Sequence, residues 1–208
     1  MAEVNKRVLV LNHFAVPRGQ PGGTRHVELF SRLDGWTYLI IAGHLNHLTG
    51  EPQPAAPGFF PVRVTPYRGN GLSRILNWVS YAFSAYVQAF RVGRVDVVYA
   101  SSPHLLAAWC GWLVATARRV PFVLEVRDLW PGVLLAMGQL SAKSPVFRIL
   151  TALETFLYNR ATRIVVLSEG SRVEIASRGI DAGKIVYIPN GADPDDFRPT
   201  ACRELLRE

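Results

Sequence analysis

The chain has 208 residues, 49% hydrophobic and 19% charged, a balance that supplies a sizeable core and excludes a disordered polypeptide. Its formal net charge of +7 favours anionic partners. The basic residues are mostly scattered arginines, with no dense tract, helix-turn-helix signature or zinc finger, which argues against nucleic acid. Cys110 and Cys202 lie far apart, so there is neither a disulfide framework nor a paired-cysteine metal motif, and a reducing, cytoplasmic setting is expected.

At the N-terminus, Lys6 and Arg7 precede only Val8–Leu11, too short an apolar run for a secretory signal. Arg7–Leu11 reads as the first strand. A loop over Asn12–Gly23 and a helix over Gly23–Leu33 follow. Trp36–Ala42 is the second predicted strand, His44–Phe60 a long loop, Val62–Thr65 a third strand and Leu72–Arg91 a helix. Val95–Ala100 is a strand, and Ser102–Arg119 a helix opening on Ser102-Pro103 as cap and first-turn proline. Phe122–Val126 and Arg163–Leu167 are strands flanking a helix at Ser144–Ala161. Ser171–Arg178 is a helix with a capping box between Ser171 and Glu174, ending at Gly179, and Lys184–Ile188 is the last strand.

Most of these strands are continuous apolar runs, as expected of strands buried on both faces of a parallel sheet. Their alternation with helices predicts an α/β fold, a Rossmann-like doubly wound parallel sheet of about seven strands with helices on both faces. Residues 1–193 form this domain. Residues 194–208, charged and holding Pro194 and Pro199, read as a linker and the start of another helix. The stretches Ile75–Phe90 and Val97–Ala117 lack charges, but the first is too short to span a bilayer and the second is interrupted at Ser101-Ser102-Pro103-His104.

Ligands of such folds bind at the carboxyl ends of the strands. The first loop holds His13, Pro17, Gly19, Pro21, Gly22 and Gly23, then Thr24-Arg25-His26 opening a helix. Glycines allow close backbone approach, a helix N-terminus favours anions, and Arg25 could bond a phosphate. A diphosphate loop and a mobile surface loop both fit. The dinucleotide fingerprint and the P-loop are absent, which argues against an NAD-dependent oxidoreductase.

Arg127 and Asp128 follow the strand Phe122–Val126 directly. Arg127 could hold a phosphate or neutralise charge on a leaving group. Asp128 could orient Arg127, accept hydrogen bonds from sugar hydroxyls or act as a base. The alternative is a structural Arg–Asp pair closing a loop. Further candidates at strand ends are Ser101, His104, Ser168, Glu169 and Asn190. Ser102 and Ser168 could equally cap helices, His104 could face solvent, and Asn190-Gly191 is a turn signal in any case.

Three segments together resemble the N-terminal, acceptor-side domain of family 4 glycosyltransferases of the two-domain GT-B type. They are Gly22-Gly23-Thr24-Arg25-His26-Val27 with Leu29 and Leu33; Val126-Arg127-Asp128-Leu129-Trp130-Pro131; and Val165–Glu169 through Ile188–Asp193 with Phe197. The second segment is similar to bacterial members that build cell-surface polysaccharides, often on lipid-linked or amino-sugar acceptors. The resemblance implies a nucleotide-sugar donor, retention of anomeric configuration, no metal and no further cofactor. It implies catalytic roles for Arg127 and Asp128. It assigns substrate-binding roles to Gly22, Gly23, Arg25, His26, His104, Glu169 and Asn190, with the glycine pair at the donor phosphates and Arg127 near the transferred sugar. Many members carry His where this chain has Arg127, so an electrostatic role is expected there. The nucleotide-holding C-terminal domain is expected as a missing partner, and this chain alone is expected to have little or no transferase activity. A non-catalytic phosphate- or sugar-binding module that docks a separate partner is the alternative.

The predicted helix Leu72–Arg91 places Leu72, Ile75, Leu76, Val79, Phe83, Tyr86, Val87 and Phe90 on one face, with Trp78 and Tyr81 as aromatic surface on another. Arg68, Arg74, Arg91 and Arg94 flank its ends. Such a helix suits an anionic lipid surface, which would place the protein peripherally on the inner face of the plasma membrane. Packing of the apolar stripe on the sheet is the other outcome.

Overall fold

The structure, a computed structural model, describes residues 6–69 and 71–191. The predicted linker 194–208, together with Asp193, Phe197 and Cys202, lies outside the described residues. Seven strands, β1 (Lys6–Leu11), β2 (Trp36–Gly43), β3 (Phe59–Val62), β4 (Val97–Ser101), β5 (Phe122–Val126), β6 (Arg163–Val166) and β7 (Ile185–Tyr187), form one sheet in the order β3-β2-β1-β4-β5-β6-β7. Every pairing is parallel, with Leu11 opposite Ile41 and Ala100, and Ser101 opposite Glu125. The order reverses direction at β1 and β4, so the carboxyl ends of those two strands mark the switch point where such sheets bind ligands.

Helices cover both faces, as the alternation predicts. On one face α1 (Arg25–Phe30) sets Val27 and Phe30 against Val8, Val10, Ile40, Ala42, Tyr99 and Val165. The other face carries α2 (Leu72–Ala89), α3 (Leu105–Arg118), α5 (Pro145–Arg160) and α6 (Glu169–Ser177) over Leu9, Leu11, Ile41, Val98, Leu124 and Ile164. A short helix, α4 (Gly132–Ala136), follows the turn after β5. Gly111 lets α3 press onto the sheet, because a Cβ there would lie 2.3 Å from the Ala100 Cβ. Among the described residues no helix is long and apolar enough to cross a membrane.

Several boundaries differ from the sequence expectation, each for a local reason. β3 is Phe59–Val62 rather than Val62–Thr65. Pro61 can sit in it because an edge strand leaves one row of donors unused, while the Val64 and Thr65 amides donate to His44 Nδ1 and Ser80 Oγ. α3 starts at Leu105, with His104 and not Ser102 as its cap: the His104 ring accepts from the Ala107 amide. α6 is capped by Ser168, which accepts from the Ser171 amide, and Glu174 pairs with Arg178 instead of closing a capping box at Ser171. Ser144 caps α5, accepting from the Val146 amide, with Pro145 at its first turn. In α2, Tyr81 is fully buried and donates to the Ile41 carbonyl, and Trp78 packs on the core, so neither is the outer aromatic surface expected of them.

Candidate functional site

The loop leaving β1 is pinned rather than mobile. Asn12 Oδ1 accepts from the Phe14 amide, Ala15 and Val16 are buried, and Ala15 bridges to Gly23 as the chain returns. The loop after β2 is fastened to it: Asn46 Nδ2 donates to the Pro21 carbonyl, and Gln53 Nε2 donates to the carbonyls of Ala15 and Gly43. Gly22 is at φ +133°, and a Cβ there would stand 3.2 Å from both His47 Cε1 and Val16 Cγ1. Only glycine fits both the backbone angle and the space.

Gly23 faces Arg127. A Cβ on Gly23 would lie 3.9 Å from Arg127 Nη1 and 4.0 Å from Nη2. The Arg127 backbone is set by its own amide, which donates to Ser102 Oγ, and by the Ser102 amide, which donates to the Glu125 carbonyl. Among the described residues its guanidinium makes no hydrogen bond or ion pair with protein, and Asp128 is exposed and likewise without an ion pair. The loop-closing Arg–Asp pair is therefore not formed. An unspent, half-buried guanidinium next to a glycine backbone is an anion-binding arrangement.

Arg25 and His26 turn inward. Glu125, buried in β5, accepts from Arg25 Nε and the Tyr99 hydroxyl at Oε1 and from His26 Nε2 at Oε2, all within 2.8 Å. Asn12 Nδ2 donates to His26 Nδ1, so the ring hydrogen sits on Nε2, facing Glu125. Burial would raise the Glu125 pKa, but the hydrogen bonds from His26 and Arg25 outweigh it and hold the carboxyl well below its usual range. The remaining Arg25 donors reach the carbonyls of Ile188 and Pro189 and Asn190 Oδ1. Thus Arg25, His26 and Asn190, expected as direct ligands, are joined in a network that ties α1 to β5 and to the turn after β7.

His104 is also buried, not solvent-facing. Its Nδ1 accepts from the Ala107 amide, so Nε2 carries the hydrogen and donates to His13 Nδ1 at 2.9 Å. His13 stacks on Tyr81 and Phe14, and His104 stacks on Trp78. Burial lowers the His13 pKa to about 3, with His47 adding to the effect, and burial likewise holds that of His104 well below its ordinary value. His47 leans on Phe14, and burial and the Arg127 cation lower its pKa as well. This row of uncharged imidazoles floors the site beside Gly22 and Arg127. Glu169 stands at the same sheet edge as the first residue of α6, exposed and paired with Arg172.

The structure thus brings Gly22, Gly23 and Arg127 together and leaves Asp128 open to solvent. Sequence reasoning missed His47, Phe14 and Glu125 as site components. Glu125 did carry a signal, since a lone acid in a strand buried on both faces must find partners. An open groove of about 780 Å³ along α5, lined by Phe147, Phe156 and Arg160, shares no residue with this site. Among the described residues no group of three or more His, Cys, Asp or Glu is gathered as metal ligands.

A seven-stranded parallel α/β sheet with a pinned glycine loop and, among the described residues, an arginine without a protein partner at its carboxyl edge defines a Rossmann-like domain with an anion-binding edge. The chain belongs to the glycosyl transferase 4-like domain family, whose model matches residues 7–191. "Probable glycosyltransferase WbjE" of Pseudomonas aeruginosa is 31% identical over 129 residues, covering 62% of this chain and 32% of that protein. Sucrose-phosphate synthase from Thermosynechococcus elongatus shares the fold with a TM-score of 0.65 at 13% identity, over 94% of this chain and 51% of that one. Anabaena HepE, solved in complex with UDP-glucose, gives a TM-score of 0.52 at 15% identity, over 91% of this chain and 45% of that one. The chain spans about a third of the curated relative and about half of each of these solved structures.

Proposed function

We propose that this chain is the acceptor-side half of a retaining, metal-independent glycosyltransferase. It would move a sugar from a nucleotide-sugar to a polysaccharide or lipid-linked acceptor on the cytoplasmic side of the membrane. Family membership and the similarity to a probable glycosyltransferase support transfer, and the resemblance of the segment Val126–Pro131 to bacterial cell-surface polysaccharide transferases supports the acceptor class. The observation that carries it is the approach of Gly23 to the unpaired Arg127 guanidinium.

In this reading the backbone at Gly22 and Gly23 admits the donor diphosphate, and a second domain closes the cleft and holds the nucleotide. As the bond from the anomeric carbon to the diphosphate breaks, Arg127 offsets the charge growing on the leaving oxygen. The acceptor hydroxyl forms the new glycosidic bond, and its proton departs with the nucleoside diphosphate. Asp128 accepts hydrogen bonds from sugar hydroxyls. Arg25, His26, His104 and Asn190 act by holding the loops in place, and Glu169 extends the same edge toward the donor.

The deciding experiment titrates a panel of nucleotide sugars, UDP-glucose included, against this chain and against the full-length protein by calorimetry. Weak or absent binding to the chain and clear binding to the full-length protein is expected. Equal binding of every nucleotide sugar to a full-length Arg127→Ala variant would remove the site from the reading.

A further inference from the structure

α2 buries one side and exposes an apolar stripe on the opposite one. Its inner row, Asn77, Tyr81, Ala85 and Ala89, is buried against the sheet and α3. Its outer row, Leu72, Ile75, Leu76, Val79, Phe83 and Tyr86, continues to Phe90, and all seven are exposed, with Leu72 at 70% and Phe83 at 71%. At about 100° per residue these seven fall within an arc of roughly 100° centred opposite Tyr81. The expected packing of this stripe on the sheet does not occur. An apolar patch of this length on a surface marks an interaction site.

The surrounding charge selects the partner. Between Glu51 and Asp96 the chain has no acidic residue, while Arg63, Arg68, Arg74, Arg91 and Arg94 lie in that interval. Arg68 and Arg91 are exposed next to the two ends of the helix. The Arg118 guanidinium lies 5.4 Å from the centre of the Phe90 ring while donating to the carbonyls of Ala89, Val92 and Gly93. Tyr86 and Phe90 form an edge-to-face pair within the stripe, the aromatic type that settles at a headgroup boundary. A protein partner would need acids around an apolar groove, whereas an anionic bilayer supplies both chemistries at once.

We infer that the outer row of α2, Leu72 to Phe90, lies on an anionic lipid surface, with Arg68 and Arg91 on headgroup phosphates. The same helix lines the candidate site from its inner side, where Trp78 stacks on His104. Docking through the outer row would therefore hold the site beside the membrane. This inference stands apart from the transfer reading, since it requires no donor or acceptor.

The test is co-sedimentation of the 208-residue chain with phosphatidylcholine vesicles, with and without phosphatidylglycerol, at low and high salt. Retention on the phosphatidylglycerol vesicles, weakened by salt, is expected. Phe83→Asp combined with Leu76→Ser should lower retention at least about tenfold with unchanged circular dichroism, because both side chains are exposed. Arg68→Glu with Arg91→Glu should abolish the preference for phosphatidylglycerol. Equal retention of the Phe83/Leu76 variant overturns the inference. So does failure of the parent chain to bind vesicles, or its assembly into a dimer that Phe83→Asp splits.

Discussion

Gly23 and Arg127 come from loops after different strands, β1 and β5, yet a methyl group added to Gly23 would touch the Arg127 guanidinium at 3.9 Å. Two strand ends at the carboxyl edge of the sheet thus share one surface. Among the described residues the Arg127 guanidinium donates to no protein acceptor, so removing it should cost function without costing structure. In the full-length protein, Arg127→Ala is expected to lower kcat about 100-fold or more and to shift stability by no more than about 0.5 kcal/mol. Steady-state kinetics and denaturant unfolding of the same preparation check both parts, and a stability loss matching the activity loss refutes the assignment.

The two glycines separate strain from site. Gly22 has the left-handed backbone and two contacts at 3.2 Å, so Gly22→Ala should destabilise the chain by about 1–3 kcal/mol. Gly23 has neither constraint, and Gly23→Ala should leave the urea midpoint almost unchanged while weakening nucleotide-sugar binding to the full-length protein. Equal midpoints for the two variants would contradict this.

Glu125 is a buried carboxylate with three donors. Glu125→Leu leaves the Arg25 guanidinium without its countercharge and should cost about 3–5 kcal/mol. The loss should also release the turn at 188–190 that Arg25 grips, which hydrogen exchange of the Ile188 amide can read.

His13 and His104 are buried and resist protonation, the first down to a pKa of about 3 from 6.5. A histidine whose folded pKa is depressed contributes stability that is complete above the unfolded value and is lost as pH falls. Stability should therefore drop between about pH 6.5 and 3, at up to about 1.4 kcal/mol per pH unit for each imidazole. Glu125, depressed in the same sense, joins only below its unfolded value of 4.5. Thermal melts across this range should show a shallower slope for His13→Gln. An identical slope would show that the pair does not govern acid sensitivity.

Gly111 fixes how closely α3 meets the sheet. Gly111→Ala forces a methyl to 2.3 Å from the Ala100 Cβ at two buried positions and should cost about 1–3 kcal/mol by overpacking. A neutral or stabilising effect, as helix propensity alone would give, refutes the tight packing.

The sequence by itself determined the fold class and most element positions, because continuous apolar runs such as Phe122–Val126 must be buried on both faces and alternate with helical patterns of crossover length. It also marked the loops at Gly22-Gly23 and Arg127-Asp128, since strand ends in such a sheet face one edge. Pairings between distant residues were decided only in three dimensions. The choice of Arg25 and His26 for Glu125, of His104 for the Ala107 amide, and of the inner α2 row for Tyr81 depends on which polar groups burial deprives of water. A helical period of apolar residues shows that a face will be covered, but two such faces on one helix look alike in sequence, and only packing selected Tyr81 for the core and left Phe83 outside.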